Sequence, residues 1–162
     1  MSDWNISNAG AALHKDALVW DMTLPWEASA APDQKLEALL RLTNAGYNYI
    51  TLTLALDWHD NETAFAVLAK ERIWLSEHDD KFMLVETADD VLTAKGTGKL
   101  AVRFHFQGTN QIGADLSMVE SAYKLGVRHM LISYNLRNRA GDGRLERQTA
   151  DFQISASNTS PN

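Results

Sequence analysis

Two short stretches carry most of the residues that could do chemistry. In LDWHD (56–60), Asp57 and His59 follow directly on an apolar run. In LAVRFHFQG (100–108), His105 and Gln107 are two residues apart at the end of another. Asp21 lies near the end of a third, ALVWDM (17–22). Imidazole and carboxylate groups bind borderline metal ions and carry protons. On a strand, His105 and Gln107 would share one side, with Phe104 and Phe106 pointing to the other. The plainer reading treats the set as polar loop residues plus one satisfied interior histidine. His14-Lys15-Asp16 also has the His-x-Asp spacing, but it ends a helix ahead of the first apolar run and reads as a surface pair. His78 and His129 read as structural. The tryptophans read as packing residues, and Trp26, after Pro25, has a case as a wall for a substrate.

The elements that must hold these residues alternate. A short helix capped at Ser7 or Asn8 precedes a strand over 17–22, which Pro25 is expected to end because it cannot donate to a ladder. Pro32-Asp33 opens a helix with Leu36, Leu39 and Leu40 on one stripe, ended by Gly46. YITLTLAL (49–56) reads as a strand, and 62–78 as a long helix burying Phe65, Leu68, Ile73 and Leu75. FMLVE (82–86) is a short extended segment. Thr87 and Asp90 cap a helix that stops at GTG (96–98), and LAVRFHF (100–106) is the next strand. Asp115 caps a helix to Lys124, Gly126 ends it, and 127–135 is a strand. Such alternation implies parallel strands joined by right-handed crossovers, in a doubly wound sheet or part of a barrel. No G-x-G-x-x-G follows a strand and no phosphate-cradling loop is present.

The 162 residues allow one domain with a real core, and 45% hydrophobic with 22% charged residues is an ordinary globular balance. A net charge of −6 argues against nucleic acid as a partner. With no cysteine there is no disulfide, thiolate metal site or cysteine nucleophile, which fits a cytoplasmic chain. No run of 18 apolar residues predicts a membrane span.

The segment ADLSMVESAYKLGVRHMLISYNLRNRAGDG (114–143) resembles the membrane dipeptidase (renal dipeptidase) family. Gln107-Gly108, Leu116, Tyr123, LGVR (125–128) and SYN (133–135) fall in that family's order and spacing, and ALHKDALVWDMTLPW (12–26) is similar to its opening. The resemblance implies an α/β fold of metallo-dependent hydrolase type, a partial (β/α)8 TIM-barrel-like parallel half-barrel over residues 1–145. It leaves 146–162 as a polar tail expected to lack fixed structure. It also implies zinc as cofactor, a small peptide as substrate, and hydrolysis of dipeptides.

This sequence departs from the family at the ligands. Asp21 and Thr23 stand at the His-x-Asp positions, Gln107 at the bridging glutamate, and Tyr134 at a histidine that contacts substrate. A neutral carboxamide cannot offset two dications as a bridging carboxylate does. What remains is a reduced metal site drawn from Asp21, His59, His105 and Gln107, with Trp26 and Tyr134 toward substrate. A whole barrel of this kind takes about 250 residues. The expectation is therefore a truncated chain, inactive alone, that self-associates through unpaired strand edges. The alternative is a noncatalytic homologue serving as a binding or scaffold module.

Overall fold

The structure, a computed structural model, describes residues 5–147. Helix α1 (Asn8–Asp16) leads into strand β1 (Trp20–Pro25), then α2 (Pro32–Asn44) and β2 (Tyr49–Ala55). These are followed by α3 (Asn61–Ser76), β3 (Phe82–Leu84), α4 (Ala88–Thr97) and β4 (Leu100–Phe106). A 3-10 turn (Asn110–Ile112), α5 (Ser117–Lys124) and β5 (Val127–Met130) complete the order. The expected tail falls outside the described residues from 148 onward, as does Trp4.

The strands form one five-stranded sheet, and every pairing in it is parallel. β4 is its hub. β2 runs along one side of β4, while the other side is shared: β3 pairs with Leu100–Val102 and β5 with Phe104–Phe106. Four strands, β1, β2, β4 and β5, therefore follow one another as barrel strands do, and β3 fills the lower part of one gap. This is a parallel α/β half-barrel, as the alternation predicts.

Helices α2, α3 and α5 cover the outer face. Ile50, Leu52, Val102, Phe104 and Phe106 point there and pack with Leu39, Leu68, Trp74 and Ala122. Helix α4 lies on the other face. Its Val91 and Ala94 pack with Tyr49, Met83, Val85 and Ala101, at the N-terminal ends of the strands. Lys95 of α4 donates to the carbonyls of Asp16 and Ala17, just ahead of β1 (2.7 Å each). Its start is fixed by Thr87, whose hydroxyl accepts from the Asp90 amide while the Asp90 carboxylate accepts from the Thr87 amide.

Three local expectations change. β1 begins at Trp20 and runs through Pro25, which pairs with Thr53. β1 has one neighbour among the described strands, and an edge strand tolerates a proline that a central strand would not. Ile73 is 61% exposed, because the inward stripe of α3 follows Leu68, Glu71, Trp74 and Leu75. β5 stops at Met130, where the chain leaves the sheet for the loop described below. Trp74 is buried as a packing residue, whereas Trp20 and Trp58 are half exposed or more.

Candidate functional site

The face opposite the helices is polar where the strands end. Register sets its occupants. Pro25 pairs with Thr53, Thr53 with His105, and His105 with His129, one row across the four barrel strands. His129 reaches that row through an irregularity: Phe104 pairs with Val127 but His105 pairs with His129, so Arg128 is an extra residue in β5. A bulge of this kind re-aims the next side chain. Without it Arg128 would stand opposite His105. Arg128 is instead held outside, its guanidinium over the Tyr123 ring (4.0 Å to the centroid) and donating to the Tyr123 carbonyl (2.6 Å). Gly126 starts this segment at φ +107, a conformation that L side chains rarely adopt.

The two imidazoles are close, with ring centroids 4.6 Å apart and planes tilted by 57°. His105 is buried, and its Nε2 lies 3.4 Å from the Thr53 hydroxyl. His105 Nδ1 is enclosed and makes no hydrogen bond among the described residues, and the enclosed nitrogens of His129 make no well-formed one, with the Met22 backbone beside them. Burial, with the neighbouring His129 second, pushes the His105 imidazole down to about 4. Burial also lowers His129, with the Met22 backbone acting in the opposite direction.

His105 thus stays neutral when folded, while the unfolded chain takes up a proton near the ordinary value of 6.5. Its contribution to stability is complete above pH 6.5, declines as pH falls towards 4, and then levels off. We expect a loss of about 3 kcal/mol across that window. The check is urea unfolding with chelator at pH 7.5 and 4.5, taking wild type minus His105→Asn to remove the carboxylates' share. A difference that does not change with pH would count against it.

Above the row lies a cleft of about 270 Å³ lined by Thr23, Pro25, Trp26, Glu27, Thr53, Leu56 and Gln107. It sits at the C-terminal ends of β1, β2 and β4, where barrels of this type place their chemistry. Gln107 and Trp26 share this cleft. Trp26 also has a packing role: its Nε1 donates to Glu71 Oε2 (3.0 Å), and its ring lies 6.2 Å from that of Trp74.

The other candidates lie apart. Asp21 pairs with Ile50, which puts it on the helix-covered side of the sheet, and its carboxylate accepts from the Thr23 amide (3.0 Å). His59 Nδ1 faces the Leu56 amide at 3.2 Å. Tyr134 is 37% exposed in the loop after β5, where its carbonyl accepts from the Arg144 amide (2.7 Å). Among the described residues, no three His, Asp or Glu side chains come together in a way that could hold a metal ion.

Two residues matter more than the sequence reading suggests. Asp57 is 2% exposed, and its Oδ2 accepts from the amides of Asn135 (2.5 Å) and Leu136 (3.1 Å). It ties the loop after β2 to the loop after β5. Gly143 packs against the same stretch so closely that a Cβ would overlap the backbone of Asn135 and Leu136. Gln111 is fully buried, and its Nε2 donates to the carbonyls of Leu56 (2.7 Å) and His59 (3.2 Å). It sets the LDWHD loop from the 3-10 turn after the neighbouring strand β4. Nothing in its neighbourhood in the sequence marks that role, which depends on a contact between separate loops.

The family model for membrane dipeptidase (peptidase family M19) matches residues 67–160, more than half of the chain. A dipeptidase of Aspergillus terreus, ataJ, is 33% identical over 76 residues, covering 47% of this chain and 18% of that protein. An uncharacterised dipeptidase of Schizosaccharomyces pombe, C965.12, is 29% identical over 63 residues, or 38% and 15% of the two chains. Among solved structures, an amidohydrolase from Pseudomonas aeruginosa superposes with a TM-score of 0.74 at 23% identity, over 88% of this chain and 42% of that one. The probable dipeptidase PvdM from the same organism gives 0.70 at 14% identity, over 85% and 40%. The chain thus spans less than half the length of each of these proteins. The structural likeness agrees with the half-barrel, and the sequence match extends from α3 through β5: the chain belongs to the membrane dipeptidase family, peptidase family M19.

Proposed function

We propose that this chain supplies part of a dipeptidase-type barrel whose cleft at the strand ends receives a small peptide, and that the 162-residue chain alone does not hydrolyse dipeptides. The observation that carries the reading is Gln107. It lines the cleft beside Trp26 and Thr53, at the position where the resemblance puts a bridging carboxylate. The family implies a metal, and zinc is the ion proposed. The residues present do not fit a dinuclear centre of the family's kind. Gln107 is neutral, Asp21 is turned to the helix side and held by Thr23, and Glu27, the carboxylate that lines the cleft, accepts from the Ser29 amide; among the described residues no three His, Asp or Glu side chains come together. No catalytic step is derived through such a centre.

The test is an assay of dipeptide hydrolysis with and without added zinc, on the intact chain and on Gln107→Glu. The expected rate is indistinguishable from buffer in both. Zinc-dependent turnover by the unmodified chain would overturn the proposal. The same neutral Gln107 favours the second reading, a noncatalytic homologue that binds a peptide or serves as a scaffold. A cytoplasmic setting belongs to the proposal and rests on the lack of cysteine. No helix among the described residues is long and apolar enough to cross a membrane.

Self-association is part of the same reading. β1 and β5 each have a strand neighbour on one side only among the described residues. Apolar side chains are exposed along both edges: Leu18, Trp20 and Met22 by β1, and Leu131, Ile132 and Leu136 after β5. Parallel sheets are normally covered, and open edges recruit other strands. Sedimentation velocity of the purified chain should show dimers or larger species. A monomer that persists at high concentration and unfolds cooperatively would rule this out.

A further inference from the structure

The row beneath the cleft holds an unresolved polar balance. His105 Nδ1 is enclosed without a hydrogen bond among the described residues, and the enclosed nitrogens of His129 make no well-formed one, with the Met22 backbone the polar group beside them. Each such group forfeits the bonds it would make to water. In folded proteins, buried polar atoms left unpaired in this way call for a partner, often a water or an ion. The feature is also built. A bulge at Arg128 turns His129 onto the face of His105, and Arg128 itself is tied outside by Tyr123.

The donors decide what that partner could be. Neutral imidazole has a lone pair for a metal and little to offer a hard, oxygen-seeking cation. Two rings with centroids 4.6 Å apart and a 57° tilt can each turn one nitrogen toward a common point. Metal–nitrogen distances of about 2.0–2.1 Å then require a bent rather than a straight arrangement. Thr53 stands between the cleft and the row: it lines the cleft, and its hydroxyl lies 3.4 Å from His105 Nε2.

We infer that His105 and His129 form a two-imidazole site for one late first-row transition-metal ion, set one row deeper in the half-barrel than Gln107. This goes beyond the proposed function. It requires no dipeptide turnover, and neither Asp21 nor Gln107 belongs to it. The absence of a carboxylate in the row makes it a site of moderate affinity that depends on both imidazoles.

The experiment is calorimetric titration of the intact 162-residue chain with zinc chloride, and with magnesium chloride as a hard-cation control. About one equivalent of zinc should bind, and no magnesium. His129→Asn and His105→Asn should each weaken zinc binding at least tenfold, whereas Asp21→Asn and Gln107→Ala should leave it unchanged. Circular dichroism without zinc checks that each variant folds. If His105→Asn does not fold, the His129→Asn result and the loss of the zinc-induced rise in Tm decide the matter. No zinc binding, or binding that survives His129→Asn, would overturn the inference. Binding lost in Asp21→Asn but kept in His129→Asn would also overturn it, by moving the ion to the family-type position.

Discussion

Glu71→Ala should destabilise this chain by about 3–5 kcal/mol, the usual cost of removing one member of a buried ion pair. Glu71 of α3 is 1% exposed and Lys35 of α2 is 8% exposed. The ammonium lies 2.7 Å from Glu71 Oε1 and 5.0 Å from the centre of the Trp74 ring, while Glu71 Oε2 accepts from Trp26 Nε1. Truncation strands a buried ammonium and a buried indole N–H together. The double change Lys35→Met with Glu71→Leu should recover most of the loss, since an apolar pair of similar volume often serves as well as a buried salt bridge. Urea unfolding of the single and double variants measures both. A single-variant cost below about 1 kcal/mol would mean that water reaches the pair. The change also frees Trp26, so a fluorescence shift from the cleft wall should accompany it.

Asp57→Ala should cost about 2–5 kcal/mol, from two charge-assisted hydrogen bonds lost and two amides left in a buried place. Its effect should be local before it is global. Asn135 and Leu136 are the amides it holds, and Arg144 and Leu145 bond back to the carbonyls of Tyr134 and Asn135. Amide exchange should therefore accelerate across 133–145 in Asp57→Ala while β2 and β4 remain protected. Uniform acceleration over the sheet, or none in that loop, would show that Asp57 does not anchor it.

Most of the elements are legible in the sequence because each is written locally. Ser7 and Thr87 cap helices with their own side chains, and Gly46, Gly98 and Gly126 end helices at positive φ. The β2 and β4 runs are apolar enough to be read as fully covered strands, which they are. What was not legible depends on distant contacts. One extra residue at Arg128 decides whether His129 points at His105 or away from it, and nothing local distinguishes VRHM with a bulge from VRHM without one. The side taken by α4 is set by Tyr49 and Ala101 meeting Val91 and Ala94, a match between segments some 40 residues apart on one side. Asp21 reads as a strand-end ligand until register pairs it with Ile50. That Gln107 stands in a carboxylate's place is what the resemblance implies; that Trp26 shares its cleft while also bonding Glu71 appears only in the packing.

The position of α4 has a consequence for traffic. Val91 and Ala94 close the inner face at the N-terminal ends of the strands, and the Lys95 clamp on Asp16 and Ala17 holds that closure to the entry of β1. The inner face has a floor. A solute that settled against Thr53 could not pass out through the N-terminal ends of the strands, and would meet Trp26 and Gln107 at the other end, while the flank between β1 and β5 is open among the described residues. Passage along the strand axis is therefore one-ended, so a substitution at Trp26 or Gln107 should alter exchange at that end, whereas one in α4 should not.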